Sequence, residues 1–229
     1  MNVLQKLHEQ IRKKGLRAVL KQLYRHYVYF HEQLVWMERD LVSPVRAINL
    51  RPYTPLRLER ITTSNVEAFA RYFGDRVETM RELAAEGHTG HMYLDDKGDC
   101  VAFIWGCKRD YFDRHFFRCW FPVKPGEFFE FGGELYRAYW GTRLSVDLQL
   151  DLWKAMAKQG CNKVVDVFEL SNVPAAKLHL RMDYQESGRI THMHCLFGRF
   201  RFFRDTHYTG SVLDAFRKPA KPVASTATA

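Results

Sequence analysis

Between residues 127 and 190 the apolar pattern switches from a period of two to a helical period and back, and this order limits the fold more than any other feature. A strand over residues 134–138 runs into the turn Tyr139-Trp140-Gly141-Thr142-Arg143. A helix over 145–159 follows, with Leu144, Leu148, Leu152, Ala155 and Met156 recurring on one face. Gly160 supplies its stop, and Lys163-Val164-Val165-Asp166-Val167-Phe168 reads as a β-branched strand. A turn that feeds a helix N-terminus leaves unpaired N–H groups and a partial positive charge facing outward. Such an end suits a phosphate or pyrophosphate.

The residues of this segment resemble the GCN5-related N-acetyltransferases. Tyr139-Trp140-Gly141-Thr142-Arg143-Leu144-Ser145 lines up with that family's glycine-rich acyl-CoA turn. Asn172-Val173-Pro174-Ala175-Ala176-Lys177-Leu178-His179 lines up with its downstream Asn-x-x-Ala-x-x-Leu-Tyr, and Pro125-Gly126-Glu127 is similar to one branch of it. The resemblance covers roughly residues 56 to 200. Its turn is degenerate: Trp140, Arg143 and Ser145 stand where relatives have Arg or Gln, Gly, and Gly or Ala. Glycine permits close approach of backbone to pyrophosphate, so two such approaches are lost. Gly141 remains, Ser145 is a candidate helix cap, and the planar fork of Arg143 suits a phosphate.

What the resemblance implies is an α/β (α+β) fold, a mixed, twisted central sheet flanked by helices. Its co-substrate would be acetyl-CoA or another acyl-CoA, with no metal, and its acceptor a primary amine. Leu135, Tyr136 and Arg137 would orient the thioester. Trp140, Gly141, Thr142, Arg143, Leu144 and Ser145 would hold the phosphates, with Asn172 and Ala175 beside the cofactor. Direct transfer needs a base for the attacking ammonium and an acid for the leaving thiolate. Glu134 or Glu130 would be the base. His179, at the position of the family's tyrosine, would be the acid. An exposed strand carboxylate, a solvent-facing helical histidine and a helix-cap asparagine are the plain structural readings of the same residues. The branch similarity points toward an envelope or polysaccharide-related amine. The lost glycines leave open a binding or scaffold module that no longer catalyses.

Composition narrows the class without choosing a reaction. The 229 residues, 46% hydrophobic and 14% aromatic, suit one ordinary folded domain with extensions. No apolar run approaches the length needed to cross a bilayer, and no signal-peptide pattern opens the chain. Cys100, Cys107, Cys119, Cys161 and Cys195 are odd in number and lack Cys-x-x-Cys spacing, as expected of reduced thiols in the cytoplasm. The net charge is +9, and Lys6, Arg12, Lys13, Lys14, Arg17, Lys21 and Arg25 crowd the start of the chain against Glu9 alone. Polyanions are attracted to such a segment. No nucleic-acid recognition motif accompanies it. His192 and His194 share a strand face, but no further ligands join them in sequence, and core or surface histidines are expected there.

Residues 1–55 read as a basic amphipathic helical extension followed by a connector, 56–210 as the acyltransferase-like domain, and 211–229 as a disordered tail. In the extension, Val3, Leu4, Leu7, Ile11, Leu16, Val19, Leu20 and Leu23 share one helical face. That face fits docking on the domain, a second subunit, or an anionic membrane surface at the cytoplasmic side. The prolines at 44, 52 and 55 mark the connector. A strand over 56–61, a helix from Thr63 or Ser64 capped by a Ser64–Glu67 box, a helix over 76–86 and a hairpin around the Asp95-Asp96-Lys97-Gly98 turn follow. The aromatic run over 111–131 reads as core plus a dimer or substrate wall, and 190–197 and 200–203 as closing strands.

Overall fold

The computed structural model describes residue 12 and residues 15–216. Expectations for residues 1–11, 13, 14 and 217–229 fall outside the described residues. Eight strands form one sheet in the order β10-β9-β1-β8-β7-β4-β3-β2. They are β1 (Tyr29–Asp40), β2 (Arg57–Arg60), β3 (Thr89–Leu94), β4 (Cys100–Cys107), β7 (Glu127–Leu135), β8 (Lys163–Glu169), β9 (Gln185–Leu196) and β10 (Phe200–His207). The two short strands β5 (Tyr111–Phe112) and β6 (Trp120–Phe121) pair separately. The mixed sheet flanked by helices is the expected fold class.

Helix α1 (Leu16–Tyr27) precedes the sheet. The short α2 (Ala70–Phe73) and α3 (Val77–Ala85) lie between β2 and β3, α4 (Leu144–Lys158) joins β7 to β8, and α5 (Val173–Arg181) joins β8 to β9. Alternating side chains build a core on each face of the sheet. Val35, Met37, Phe128, Val164 and Phe168 pack with α4 and α5 on one side. Leu34, Trp36, Phe103, Phe129, Val165 and Val167 pack with α2, α3 and the aromatic loop on the other.

The main surprise is β1. Residues 27–55 read as a connector, yet Tyr29–Asp40 is an inner strand, antiparallel to β8 and to β9. Leu34, Val35 and Met37 are fully buried. The run Leu34-Val35-Trp36-Met37 is the sequence pattern of a strand covered on both faces, and the prolines begin only after it. Three smaller corrections concern helix ends and the tail. No side chain caps the Val66–Phe69 turn, so the Ser64–Glu67 box does not form. Ser145 gives its hydroxyl to the Thr142 carbonyl and does not cap α4. Residues 211–216 belong to the fold: Leu213 is fully buried, and the Ser211 hydroxyl and Val212 N–H donate to Glu186.

Candidate active site

Strands β7 and β8 are the only parallel neighbours among the described strands, because α4 carries the chain across between them. They pair over three steps, ending at Phe129 and Val165, and then separate. Glu130 and Asp166 are the next residues on each strand, so two carboxyl groups stand where the ladder ends. Beyond them opens a cleft of about 360 Å³, lined on one side by Glu130, Gln149, Asp166, Asn172, Ala175 and His179. Phe103, Tyr111, Phe117, Phe121, Phe129 and Phe131 line the other side. The aromatic run of 111–131 therefore serves both as core and as cleft wall.

A bulge shapes the rim. Phe103 pairs with Glu134 and Trp105 with Phe131, so β7 spends one more residue than β4 over this step. Gly132 has φ +64°, which favours glycine, and Gly132 and Gly133 line the cleft without side chains. A bulge leaves its extra residue outside the ladder.

Glu130 is buried and accepts a 2.7 Å hydrogen bond from Trp153 Nε1. Burial pushes its pKa well above the usual carboxylate range, and the neighbouring charge of Asp166 adds to this. The buried Tyr184 hydroxyl lies near Glu130, and burial raises it too. His179 is buried, not solvent-facing: its Nδ1 lies 2.8 Å from the Ala175 carbonyl and its Nε2 2.7 Å from Asp166 Oδ2. The ring stacks on Phe168. A carbonyl can only accept, so Nδ1 donates to it, and one proton is then shared between Nε2 and Asp166. Both ring nitrogens are thus occupied, which removes the free donor that a leaving thiolate would need. His179 instead positions Asp166. Replacing it with Ala should cost about 3 kcal/mol in denaturant unfolding, because Asp166 loses its buried partner. A loss under about 1 kcal/mol would mean that the pair does not form.

Asp166, Gln149, Trp153 and Tyr184 were not among the residues singled out from sequence. The Gln149 Oε1 is buried without a hydrogen-bond partner and belongs to the cleft lining, an acceptor available to a ligand N–H.

The remaining sequence candidates lie elsewhere. Glu134 is outside the cleft lining and pairs with Arg76 at 3.3 Å. Leu135 pairs with Ala102, and the Tyr136 N–H donates to the Val101 carbonyl, so that amide is engaged in the sheet. Tyr136 stacks on Tyr72. Arg137 begins a short 3-10 turn and sits over Trp140, whose indole N–H donates to the Leu135 carbonyl. In the turn itself the Trp140, Thr142 and Arg143 amides donate to Arg137, Tyr139 and Arg51 carbonyls. The Thr142 hydroxyl oxygen also accepts from the Leu144 amide, and Arg143 binds Asp147 at 3.1 Å. Gly141 has φ +73°, as a left-handed turn position requires. The chain therefore satisfies much of this turn by itself, with the connector residue Arg51 forming an isolated bridge to Thr142. Asn172 caps α5, its side chain accepting from the Ala175 amide. Of the sequence candidates, Glu130, His179, Asn172 and Ala175 meet in one cleft, while Glu134 and residues 135–145 do not line it.

Among the described residues no three His, Cys, Asp or Glu are arranged to hold a metal. His192 and His194 do find a third histidine across the sheet, His31, and the three rings stack.

Neither a family model nor a curated protein matches the sequence. Solved structures do match by shape. A tandem GNAT protein from the clavulanic acid biosynthesis pathway superposes with a TM-score of 0.52 at 12% identity, over 81% of this chain and 59% of that one. A Drosophila protein gives a TM-score of 0.51 at 13% identity, over 82% and 59%. This chain thus spans 59% of the length of each. The chain has the fold of the GCN5-related N-acetyltransferases.

Proposed function

We propose that the protein transfers an acyl group, acetyl in the simplest case, from acyl-CoA to a primary amine, both substrates meeting in the cleft between β7 and β8. The observation that carries this reading is Glu130: a buried carboxyl of raised pKa that lines a cleft together with Asp166 and Gln149. A base suits proton removal near neutral pH when its pKa is raised toward it. The ammonium gives its proton to Glu130, the freed nitrogen attacks the thioester carbon, the C–N bond forms and the C–S bond breaks. The second proton lost by the nitrogen goes to the departing thiolate, and Glu130 releases the first to solvent, so the step yields amide, free thiol and one proton. The Gly132–Gly133 bulge is placed to orient the thioester carbonyl. With few turn amides free, the exposed cations Arg137 and Arg143 contribute most to holding the pyrophosphate. The aromatic wall suits an acceptor with an apolar body; an envelope or polysaccharide-related amine is the more specific form of the reading.

Titration calorimetry with acetyl-CoA tests it. Wild type should bind, and Gly141→Asp with Arg143→Asp should lower affinity roughly 100-fold, since two carboxylates would face the phosphates. Equal affinity in the double variant would remove the turn from the site. Absence of binding by wild type would remove the function.

A further inference from the structure

We infer that α1 and the tip of the β9–β10 hairpin form a docking face for an anionic phospholipid bilayer. The helix turns its apolar side outward. Leu16, Leu20, Leu23, Tyr24 and Tyr27 recur at i, i+4, i+7, i+8 and i+11, and each is 38% exposed or more, while Val19 alone of its large apolar residues is buried. A soluble helix ordinarily does the reverse. Leu20, Leu23, Tyr24, Tyr27 and Val28 line an open, almost wholly apolar groove.

The hairpin extends this surface. The Phe197 amide donates to the Val28 carbonyl, which fixes the tip beside the end of α1. Phe197 and Phe200 are 66% and 54% exposed there. Exposed aromatics at the boundary of an apolar surface are the groups that settle among lipid headgroups.

Charge chooses the occupant. Arg17 at the start of α1 and Arg199 at the hairpin tip are exposed beside the patch, and Arg12 just before the helix is exposed too. Two acids, Glu32 and Glu169, lie near Arg25 on this side; Glu32 is buried and held by Arg25 at 3.4 Å. An apolar stripe bordered by cations complements an anionic bilayer, where apolar burial and attraction to phosphate add. A second copy of the same surface would bring like charges together.

The face also adjoins the cleft. Glu32 accepts from the Ser171 hydroxyl, next to Asn172 on the cleft rim, and β1 begins beyond the end of β8.

Co-sedimentation of the full chain with vesicles tests the inference. Phosphatidylglycerol–phosphatidylcholine vesicles should bind the protein, and pure phosphatidylcholine should bind at least roughly tenfold less. Leu20→Glu with Tyr24→Glu should lower anionic-vesicle binding by at least a further tenfold, with an unchanged thermal melt because both side chains are exposed. Failure of wild type to bind anionic vesicles, or equal binding by the variant, would overturn it. So would a dimer in solution that the same double variant dissolves, which would assign the face to a second copy.

Discussion

A chain that starts at Pro52 should not fold. The amphipathic pattern of the first residues, together with the prolines that follow, suggests a separable extension, but the removal would take β1 out from between β8 and β9. Leu34, Val35, Trp36 and Met37 would all be lost, each 5% exposed or less. At about 1.5–3 kcal/mol for each buried side chain, these four alone contribute about 6 kcal/mol or more. A domain's whole stability is about 5–15 kcal/mol. The cut would also leave β8 and β9 with unpaired edges. Starting instead at Gly15 removes nothing of the sheet and should leave cooperative unfolding intact. Circular dichroism melts of the two truncated chains check this. A cooperative transition from the chain beginning at Pro52 would show that β1 is not integral.

Replacing Glu130 with Gln should raise stability and remove activity together. The rate should fall by roughly 100-fold or more, the usual scale for losing a general base. Stability moves the other way, and its sign follows from the raised pKa. In the unfolded chain a Glu ionises near pH 4.3, whereas the folded protein keeps the proton to higher pH. Wild type therefore has its full stability below about pH 4.3 and loses part of it as pH rises through the folded pKa. Glutamine cannot ionise, and Trp153 can still donate to its amide oxygen. The variant's advantage should be absent at low pH, grow with rising pH, and level off once wild-type Glu130 is ionised. Parallel melts across pH would show it. A variant less stable than wild type at high pH would mean that the Glu130 charge is compensated in the fold.

Much of the sheet was legible because its strands obey simple rules. The turn around Asp95-Asp96-Lys97-Gly98, the β-branched run at 163–168 and the glycine stop at Gly160 all fall where the structure has them. β1 was hidden because an inner strand's partners are distant in sequence: its register is set by β8 and β9, more than a hundred residues away. The site was half legible. Glu130 stands alone among Phe128, Phe129 and Phe131, and Asp166 alone among Val164, Val165, Val167 and Phe168. The family resemblance offered Glu130, and a lone acid in a buried strand is a signal that could have found Asp166 as well. Nothing local indicated that His179 faces inward. Its burial comes from packing on Phe168 and Tyr184, which are distant from it in the helix's own pattern. The family-like turn misled in the opposite direction. Its residue pattern implies free amides, while the chain's own Arg51 carbonyl takes one of them.

The most direct measurement is acyl transfer itself. Wild type and Glu130→Gln are each incubated with acetyl-CoA and a panel of apolar and polyhydroxylated primary amines, and N-acetylated product is counted by mass spectrometry while calorimetry follows acetyl-CoA affinity. Wild type should yield product with at least one amine, and Glu130→Gln should yield roughly 100-fold less at unchanged affinity. Wild type that binds acetyl-CoA yet acylates no amine would make the protein an acyl-CoA binding module, and equal product from both would place the base elsewhere than Glu130.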